Sequence, residues 1–328
     1  MNRAKQPVLT SSTAHALLKR LAPGTTVWTS SELSSLGIGA QARRQLIDSG
    51  GLLRIQRGAF ALRDHAAALR GVERARLRLE AHQKVYARRR NRAFVYSHVS
   101  AARLHGCQMW HADEFVHVTF ASRPNRYRSD SRTVAHYIPL KDAELTNHGQ
   151  FSMTSLERTV VDCCRVLDLE GSLVVMDQAL RRGADHRLLA GYAEKMRGHR
   201  GVVNLRQALE LGDAKSESMG ETRTRFLLWE MNISMPVSQF AVTTDRGIRR
   251  LDFAWPELKV ALEFDGRIKY FGDVPTDEAI ADERIRERRL MEMGWIFVRI
   301  DWKDLDDPLG VKHRIHAAWA KARLRPEA

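Results

Sequence analysis

A multidomain α+β chain is what this sequence predicts, and three observations lead there. At 328 residues with 44% hydrophobic side chains, the chain exceeds one ordinary core and can fill two or three. Its apolar spacing switches between the period of helices and that of strands. Its charge is also unevenly spread. Residues 1–64 carry nine Lys/Arg against three acids, and residues 65–92 carry nine against two. Residues 93–212 carry fifteen against thirteen, and residues 213–328 twenty against twenty-one. Nearly all of the +14 formal charge therefore sits in the first 92 residues. These shifts divide the chain into 1–64, a middle region 65–212, and an α/β domain 213–328.

The front reads helix, helix, helix, hairpin. Ala14, Leu17, Leu18 and Leu21 share one helical face over Ser11–Leu21. Thr29 or Ser30 can cap a short helix through Leu33 and Leu36 that stops at Gly37. Ile38-Gly39 starts the next helix, Ala40–Asp48, closed by Ser49-Gly50-Gly51. Leu52–Leu62 then reads as two strands turning at Arg57-Gly58. Two short helices around a glycine turn, followed by a basic hairpin, spell a winged helix-turn-helix. Leu46 and Ile47 face its core. Gln41, Arg43, Arg44 and Gln45 on the second helix are suited to base edges or phosphates, and Arg54 and Arg57 on the wing to phosphates.

A basic helix, Val72–Arg90, leads into the middle region. There the pattern gives a strand at Phe94–Tyr96, with Ser97 capping a helix His98–His105. It gives a second strand at Phe115–Phe120 with Val116, Val118 and Phe120 on one face. Thr154-Ser155-Leu156-Glu157 resembles a capping box before the helix Arg158–Leu167, within which Arg158 and Asp162 lie one turn apart. A helix Ser172–Arg181 ends at Gly183. His98, His105, His111 and His117 show no ligand spacing with a Cys or acid partner, so no metal is expected on them.

The last third carries the chemistry. A helix opens near Glu217–Glu221, a strand ends at Asp252-Phe253-Ala254-Trp255, and a second strand runs Lys259–Asp265. Strand alternation puts Val260, Leu262 and Phe264 on one face and Lys259, Ala261, Glu263 and Asp265 on the other. With Asp252 on the neighbouring strand, that is a dense carboxylate cluster, which repels itself unless protons or a divalent cation compensate it. A helix from about Thr276 to Met293 and a strand Trp295–Ile300 complete the unit. The bland alternative makes Asp252 and Asp265 turn residues and pairs Glu263 with Arg249 or Arg288. Tyr270, Arg284 and Arg288 are further phosphate candidates.

Several classes are excluded or disfavoured. A Gly-rich phosphate loop, a dinucleotide fingerprint and a Ser/His/Asp set are missing. No apolar run reaches the roughly 18–20 residues a bilayer requires, and no apolar leader follows Met1, so no membrane association is expected. Cys107, Cys163 and Cys164 make no disulfide framework. A cytoplasmic protein is expected, and the basic front favours a polyanion such as DNA.

Two resemblances sharpen this reading. TTVWTSSELSSLGIGAQARRQLIDSGGLLRIQRGAFAL resembles the winged-helix domain of AbiEi-type antitoxins, and SHVSAARLHGC, VHVTF and MTSLERTVVDCC resemble the middle region that accompanies it. That likeness covers roughly 15–185 and implies DNA binding and self-repression, with a partner protein encoded nearby, but not toxin neutralisation. RRLDFAWPELKVALEFDGRIKY and DERIRERRLMEMGWIFVRIDWKDL, within about 216–308, resemble the Vsr-like branch of the PD-(D/E)XK nucleases. It implies a restriction-endonuclease-like fold in which Asp252 and Glu263 ligate Mg²⁺ (or Mn²⁺) and Glu221 completes the site through water. The usual lysine two residues after the motif acid is here Asp265. In the Vsr-like branch an Asp-Gly stands there, with a His or Lys four residues further, the place of Lys269. Lys259 is the reserve. The expected activity is a metal-dependent DNA endonuclease or nicking enzyme, with RNA as another possible substrate. The rival is a non-catalytic DNA-binding regulator with a nuclease-fold module.

Overall fold

A computed structural model describes residues 11–21, 24–86, 94–123, 132–245, 247–266 and 287–325. The fold mixes α and β in two compact units, Met1–Val166 and Leu167–Ala328. The helices after Leu167 thus group with the last third, whereas the charge distribution places a boundary at 212/213. Among the described residues, no helix is long and apolar enough to cross a membrane.

The first unit opens with α1 (Ser11–Leu18), β1 (Trp28–Thr29), α2 (Ser30–Ser35) and α3 (Ala40–Asp48), then β2 (Leu52–Gln56) and β3 (Ala59–Leu62). Thr29 is the cap of α2, and it makes a full capping box. Its Oγ1 accepts the Glu32 N–H at 3.2 Å, and Glu32 Oε2 accepts the Thr29 N–H at 2.7 Å. Gly37, at φ +81°, makes the turn into α3. The three strands lie in the order β1-β3-β2, and β1 is an addition to the sequence pattern. Leu17, Trp28, Leu33, Ile38, Leu46, Leu52 and Phe60 are buried together between helices and sheet.

After α4 (Arg63–Ala68) and α5 (Gly71–Tyr86) comes a second sheet, ordered β6-β5-β4-β8-β7. Its strands are β4 (Val95–Tyr96), β5 (Val116–Phe120), β6 (Thr133–Tyr137), β7 (Leu145–His148) and β8 (Phe151–Thr154). Helix α6 (His98–Leu104) and α7 (Leu156–Cys164) pack beside it. Both faces of β5 are buried, so His117 and Thr119 are enclosed as well as Val116, Val118 and Phe120. Ser155 caps α7, accepting the Arg158 N–H at 3.3 Å. The expected Thr154–Glu157 box is displaced by one residue, because the third helical position is then Arg158. Arg158 instead pairs with Asp162 at 3.0 Å and with Glu144 at 2.8 Å, all three buried. Ser97 precedes α6 without capping it, since its Oγ is engaged by Thr119 and His98. The three cysteines are buried, and none is in a disulfide.

The second unit begins with α8 (Leu169–Arg181), α9 (His186–Lys195), α10 (Val202–Leu211) and α11 (Met219–Glu230). A four-stranded sheet follows, ordered β12-β11-β10-β9. It comprises β9 (Val237–Thr244), β10 (Gly247–Trp255), β11 (Val260–Phe264) and β12 (Ile296–Ile300). Residues 287–292 are helical (α12), and α13 (Pro308–Arg323) closes the unit. Neighbours pair antiparallel except β11 and β12, which are parallel. Val260 and Leu262 are buried with Phe253, Val298, Ile300, Val311 and Ile315, while Ala261 lies in the opposite cluster with Leu251 and Trp295. The two-residue alternation read from Lys259–Asp265 therefore separates the faces as expected.

Candidate functional site

The expected acids gather at one end of the second unit's sheet. The β10–β11 pairing stops at Phe253↔Leu262, and the next residues along the two strands are Asp252 and Glu263. Asp252 Oδ2 accepts the Phe264 N–H at 3.0 Å, which fixes this carboxylate to the end of β11.

Glu221 arrives from the helix. Ser218 caps α11 by accepting the Glu221 N–H at 3.1 Å. The following Gly220 lets the first turn lie directly on the Phe264 ring, where an added Cβ would fall within the ring atoms. Glu221 is consequently buried, and its Oε2 accepts from the Glu217 N–H at 2.9 Å and from Gln239 Nε2 at 2.8 Å. Gln239 also lies near Asp252 and favours its charged form, so one amide faces two acids from different elements. It sits on β9 at φ +52°, in a gap between the pairs Leu251↔Phe240 and Phe253↔Ser238. Nothing in the sequence marks Gln239, because its place depends on strand pairing and an unusual backbone angle. Burial, and then the nearby charge of Glu221, pushes the Asp252 carboxyl up to about 6 despite the Phe264 N–H.

Glu263 is half-buried and answers to a cation outside the sequence expectation. Its Oε2 lies 3.5 Å from Arg299 Nη2, on the paired position of the parallel strand, rather than beside Arg249 or Arg288. Arg299 also meets Glu287 at 3.0 Å. Asp265 extends the ladder, its N–H donating to Ile300 O at 2.8 Å. Lys259 precedes β11 in a left-handed conformation, and its Nζ donates to Met293 O at 3.1 Å. Four strand residues, about 13 Å, separate it from Glu263. Lys259 is thus removed from the acid end. Lys269, Tyr270 and Arg284 lie outside the described residues, and Arg288 is exposed on α12. Among the described residues, Glu221, Asp252 and Glu263 do not form a trio with oxygens within 4.8 Å of one another.

A buried network fixes α11 in place. Asp177 of α8 accepts from the Asp213 N–H at 2.8 Å, Thr222 Oγ1 at 2.8 Å and Arg225 Nη2 at 2.6 Å. Thr222 and Arg225 follow Glu221 within the next turn of the same helix, so this network fixes the orientation from which Glu221 reaches the sheet.

The basic residues meet in the first unit. A groove of about 640 Å³ is lined by Arg43, Arg44, Arg54 and Arg57, together with Arg132, Gln56 and Phe60. The four arginines among the expected DNA contacts thus share one concave surface. Gln41 is exposed on α3 but does not line it. Arg43 also braces the α2–α3 turn, its Nη1 donating to Ile38 O at 2.8 Å, Ser34 Oγ at 2.9 Å and Ser30 O at 3.2 Å. The guanidiniums of Arg43 and Arg54 lie 6.0 and 5.8 Å from the Phe60 ring. Arg44, Arg54 and Arg57 are exposed. Arg132, which also donates to Ile55 O at 3.3 Å, carries no sequence signal because it is 75 residues from the wing.

No family model matches the chain. It is 32% identical over 170 residues to two uncharacterized proteins of Mycobacterium tuberculosis, MT2308 of strain CDC 1551 and Rv2248 of strain H37Rv. The matched stretch is 51% of this chain and 61% of each relative, so the chain spans less than two thirds of their length. A solved structure, the RV2827C protein from Mycobacterium tuberculosis, overlaps 70% of this chain and 87% of its own at 16% identity, with a TM-score of 0.38.

Proposed function

We propose that this chain is a divalent-metal-dependent DNA endonuclease or nicking enzyme. In this reading the acid end belongs to a PD-(D/E)XK-type domain of the Vsr-like kind, and the arginine groove to a winged helix-turn-helix. One observation carries the catalytic half: Asp252 and Glu221 come from different elements to the same glutamine, and the nearby charge of Glu221 adds to burial in raising the Asp252 carboxyl. Uncompensated, that juxtaposition costs stability, and a hard divalent cation relieves it with the oxygen donors present. Asp252 and Glu263 would hold Mg²⁺ or Mn²⁺, and Glu221 would orient water beside it. Bound there, the ion supplies Lewis acidity and a water of lowered pKa. The chain's own residues do the rest. Asp252 is fixed by the Phe264 N–H, and Gln239 keeps Glu221 turned inward. Glu263 has to turn away from Arg299, which keeps its shorter contact with Glu287. Lys269 is proposed to orient the attacking water, and Asp265 to complete the polar wall.

The Arg299–Glu263 pair favours a second reading, a DNA-binding regulator of AbiEi-like kind whose α/β unit does not cut. Supercoiled plasmid incubated with the full chain in Mg²⁺, Mn²⁺ or EDTA separates the two. The enzyme gives nicked or linear product with either metal and none with EDTA. Intact plasmid under every condition, with no Mg²⁺ or Mn²⁺ binding by calorimetry, leaves the regulator standing.

A further inference from the structure

The first unit holds a histidine cluster where residue spacing predicts no metal. His98 at the start of α6, His117 on β5 and His136 on β6 each offer a ring nitrogen, and the three nitrogens lie within 4.8 Å of one another. Strand pairing makes the cluster. β5 and β6 are parallel with Thr119↔His136 in register, which puts His117 and His136 diagonally adjacent on one face of the sheet. The turn through Ser97 then lays His98 over them.

We propose that His98, His117 and His136 form a binding site for a borderline transition ion, Zn²⁺ in the first instance, with a fourth position open to solvent. The hydrogen bonds around the rings assign the ligand atoms. Ser97 Oγ engages His98 Nδ1 at 2.9 Å, which leaves Nε2. The Asp113 carboxylate holds His117 Nε2 at 3.0 and 3.1 Å, which leaves Nδ1. That Nδ1 faces His136 Nε2 at 3.0 Å, near the ligand–ligand spacing of a tetrahedral ion with Zn–N bonds of about 2.0–2.1 Å. A carboxylate behind a histidine, fixing its tautomer and raising its basicity, is the arrangement that zinc-binding histidines use. Asp113 supplies it from outside the sheet, four residues before His117.

The surroundings suit a supplied charge. Arg158 and Arg165 are the nearby cations. Arg158 is already paired with Glu144 and Asp162, and Asp113 compensates on the other side. His98 takes φ +49°, a left-handed conformation rare outside glycine, and such angles collect where position matters more than comfort. His98 and His117 are buried while His136 is half-exposed, so the open side, and the route for an ion, lies at His136. The His98 and His136 rings are stacked with centroids 3.5 Å apart, so coordination requires His136 to turn out of the stack. Three neutral imidazoles suit Zn²⁺, Co²⁺ or Ni²⁺ and not the oxygen-seeking Mg²⁺. The two proposed metal sites are therefore chemically separable.

The full chain, stripped with chelator, is titrated with Zn²⁺ by calorimetry and with Co²⁺ by visible absorption. One Zn²⁺ per chain is expected, with Co²⁺ showing the intense absorption of a four-coordinate ion. His136→Asn should weaken Zn²⁺ at least about 100-fold, and Asp113→Asn by about 10–100-fold. Asp252→Asn with Glu263→Gln should leave Zn²⁺ affinity unchanged. Both His136 and Asp113 reach the surface, and circular dichroism of each metal-free variant should overlay that of the parent. Absent Zn²⁺ binding, or equal affinity in parent and both folded variants, would overturn the site. So would a Zn²⁺ equivalent that disappears with the second unit's carboxylates.

Discussion

The arginine groove of the first unit and the carboxylate end of the second are built on opposite principles. The groove collects like charges in the open, where water and salt screen them, and Arg43 is anchored through three acceptors. The acid end draws its charges inward, Glu221 buried and Asp252 partly so, each held by donors from another element. An exposed charge can meet any polyanion, whereas a buried one needs a defined counter-charge. The first arrangement suits adhesion to a backbone of phosphates, and the second suits a particular ion.

That contrast is broken most directly by separating cutting from holding. Asp252→Ala or Glu263→Ala should reduce plasmid cleavage by about 1,000-fold or more, since metal assistance contributes several kcal/mol to the transition state. Duplex affinity and its salt slope should stay at the parent's values by fluorescence anisotropy. If the carboxylate variants lose DNA binding in step with cleavage, the two regions do not divide the work. Lys269→Ala should lower turnover while leaving metal affinity intact.

A second break is structural. Asp177→Ala removes the acceptor beneath α11 and leaves Arg225 buried without it, at a cost of about 3–5 kcal/mol. In a urea titration followed by circular dichroism, a lower-midpoint phase should appear for this variant. Gly220→Ala should act in the same direction, because the new methyl group collides with Phe264. An unshifted midpoint for both would mean that α11 does not depend on these contacts.

Much of this is legible from residues alone, for a physical reason. Helix caps and glycine turns act within a few residues, so α2, α3 and the β2–β3 hairpin follow from Thr29, Gly37 and Gly58. Alternation along Val260–Phe264 likewise foretells which side chains enter the core. What escapes depends on register between distant segments. Gln239 meets Glu221 and Asp252 only once β9 lies beside β10, and Arg299 meets Glu263 only through the parallel β11–β12 pair. His136 joins His117 for the same reason, across 19 residues. The Thr154–Glu157 box fails by one position because Ser155 is an equally good cap, and the sequence does not choose between them.

The groove is sharpened by smaller effects. Arg44→Ala, Arg54→Ala and Arg57→Ala should each weaken duplex binding about tenfold and lower the salt slope by about one. Loss confined to a preferred sequence marks a base contact, and uniform loss marks a phosphate contact. Arg43→Ala should differ from these, losing thermal stability as well because its Nη1 braces the α2–α3 turn. If Arg43→Ala weakens binding with an unchanged melting temperature, the bracing role is wrong.

The smallest effect tests the acid end in the absence of metal. Asp252 has its carboxyl raised to about 6 in the folded chain, against an ordinary value of 3.8. Below about pH 4 the group is protonated both folded and unfolded, so it contributes nothing. Between pH 4 and 6 the unfolded chain has lost this proton while the folded chain keeps it, so stability falls as pH rises. Above pH 6 the full penalty remains. Partial exposure reduces the nominal value, leaving about 1–2 kcal/mol. Asp252→Asn retains an oxygen for the Phe264 N–H and removes the charge. In chelator it should therefore be more stable than the parent at pH 7.5, and the gain should vanish by pH 4. Mg²⁺ should stabilise the parent at pH 7.5, less so at pH 5, and leave Asp252→Asn nearly unmoved. A parent stability that rises between pH 4 and 6 by more than Asp252→Asn does would reverse the sign. Asp252 would then be a satisfied structural carboxylate, and the proposed metal site would lose its electrostatic basis.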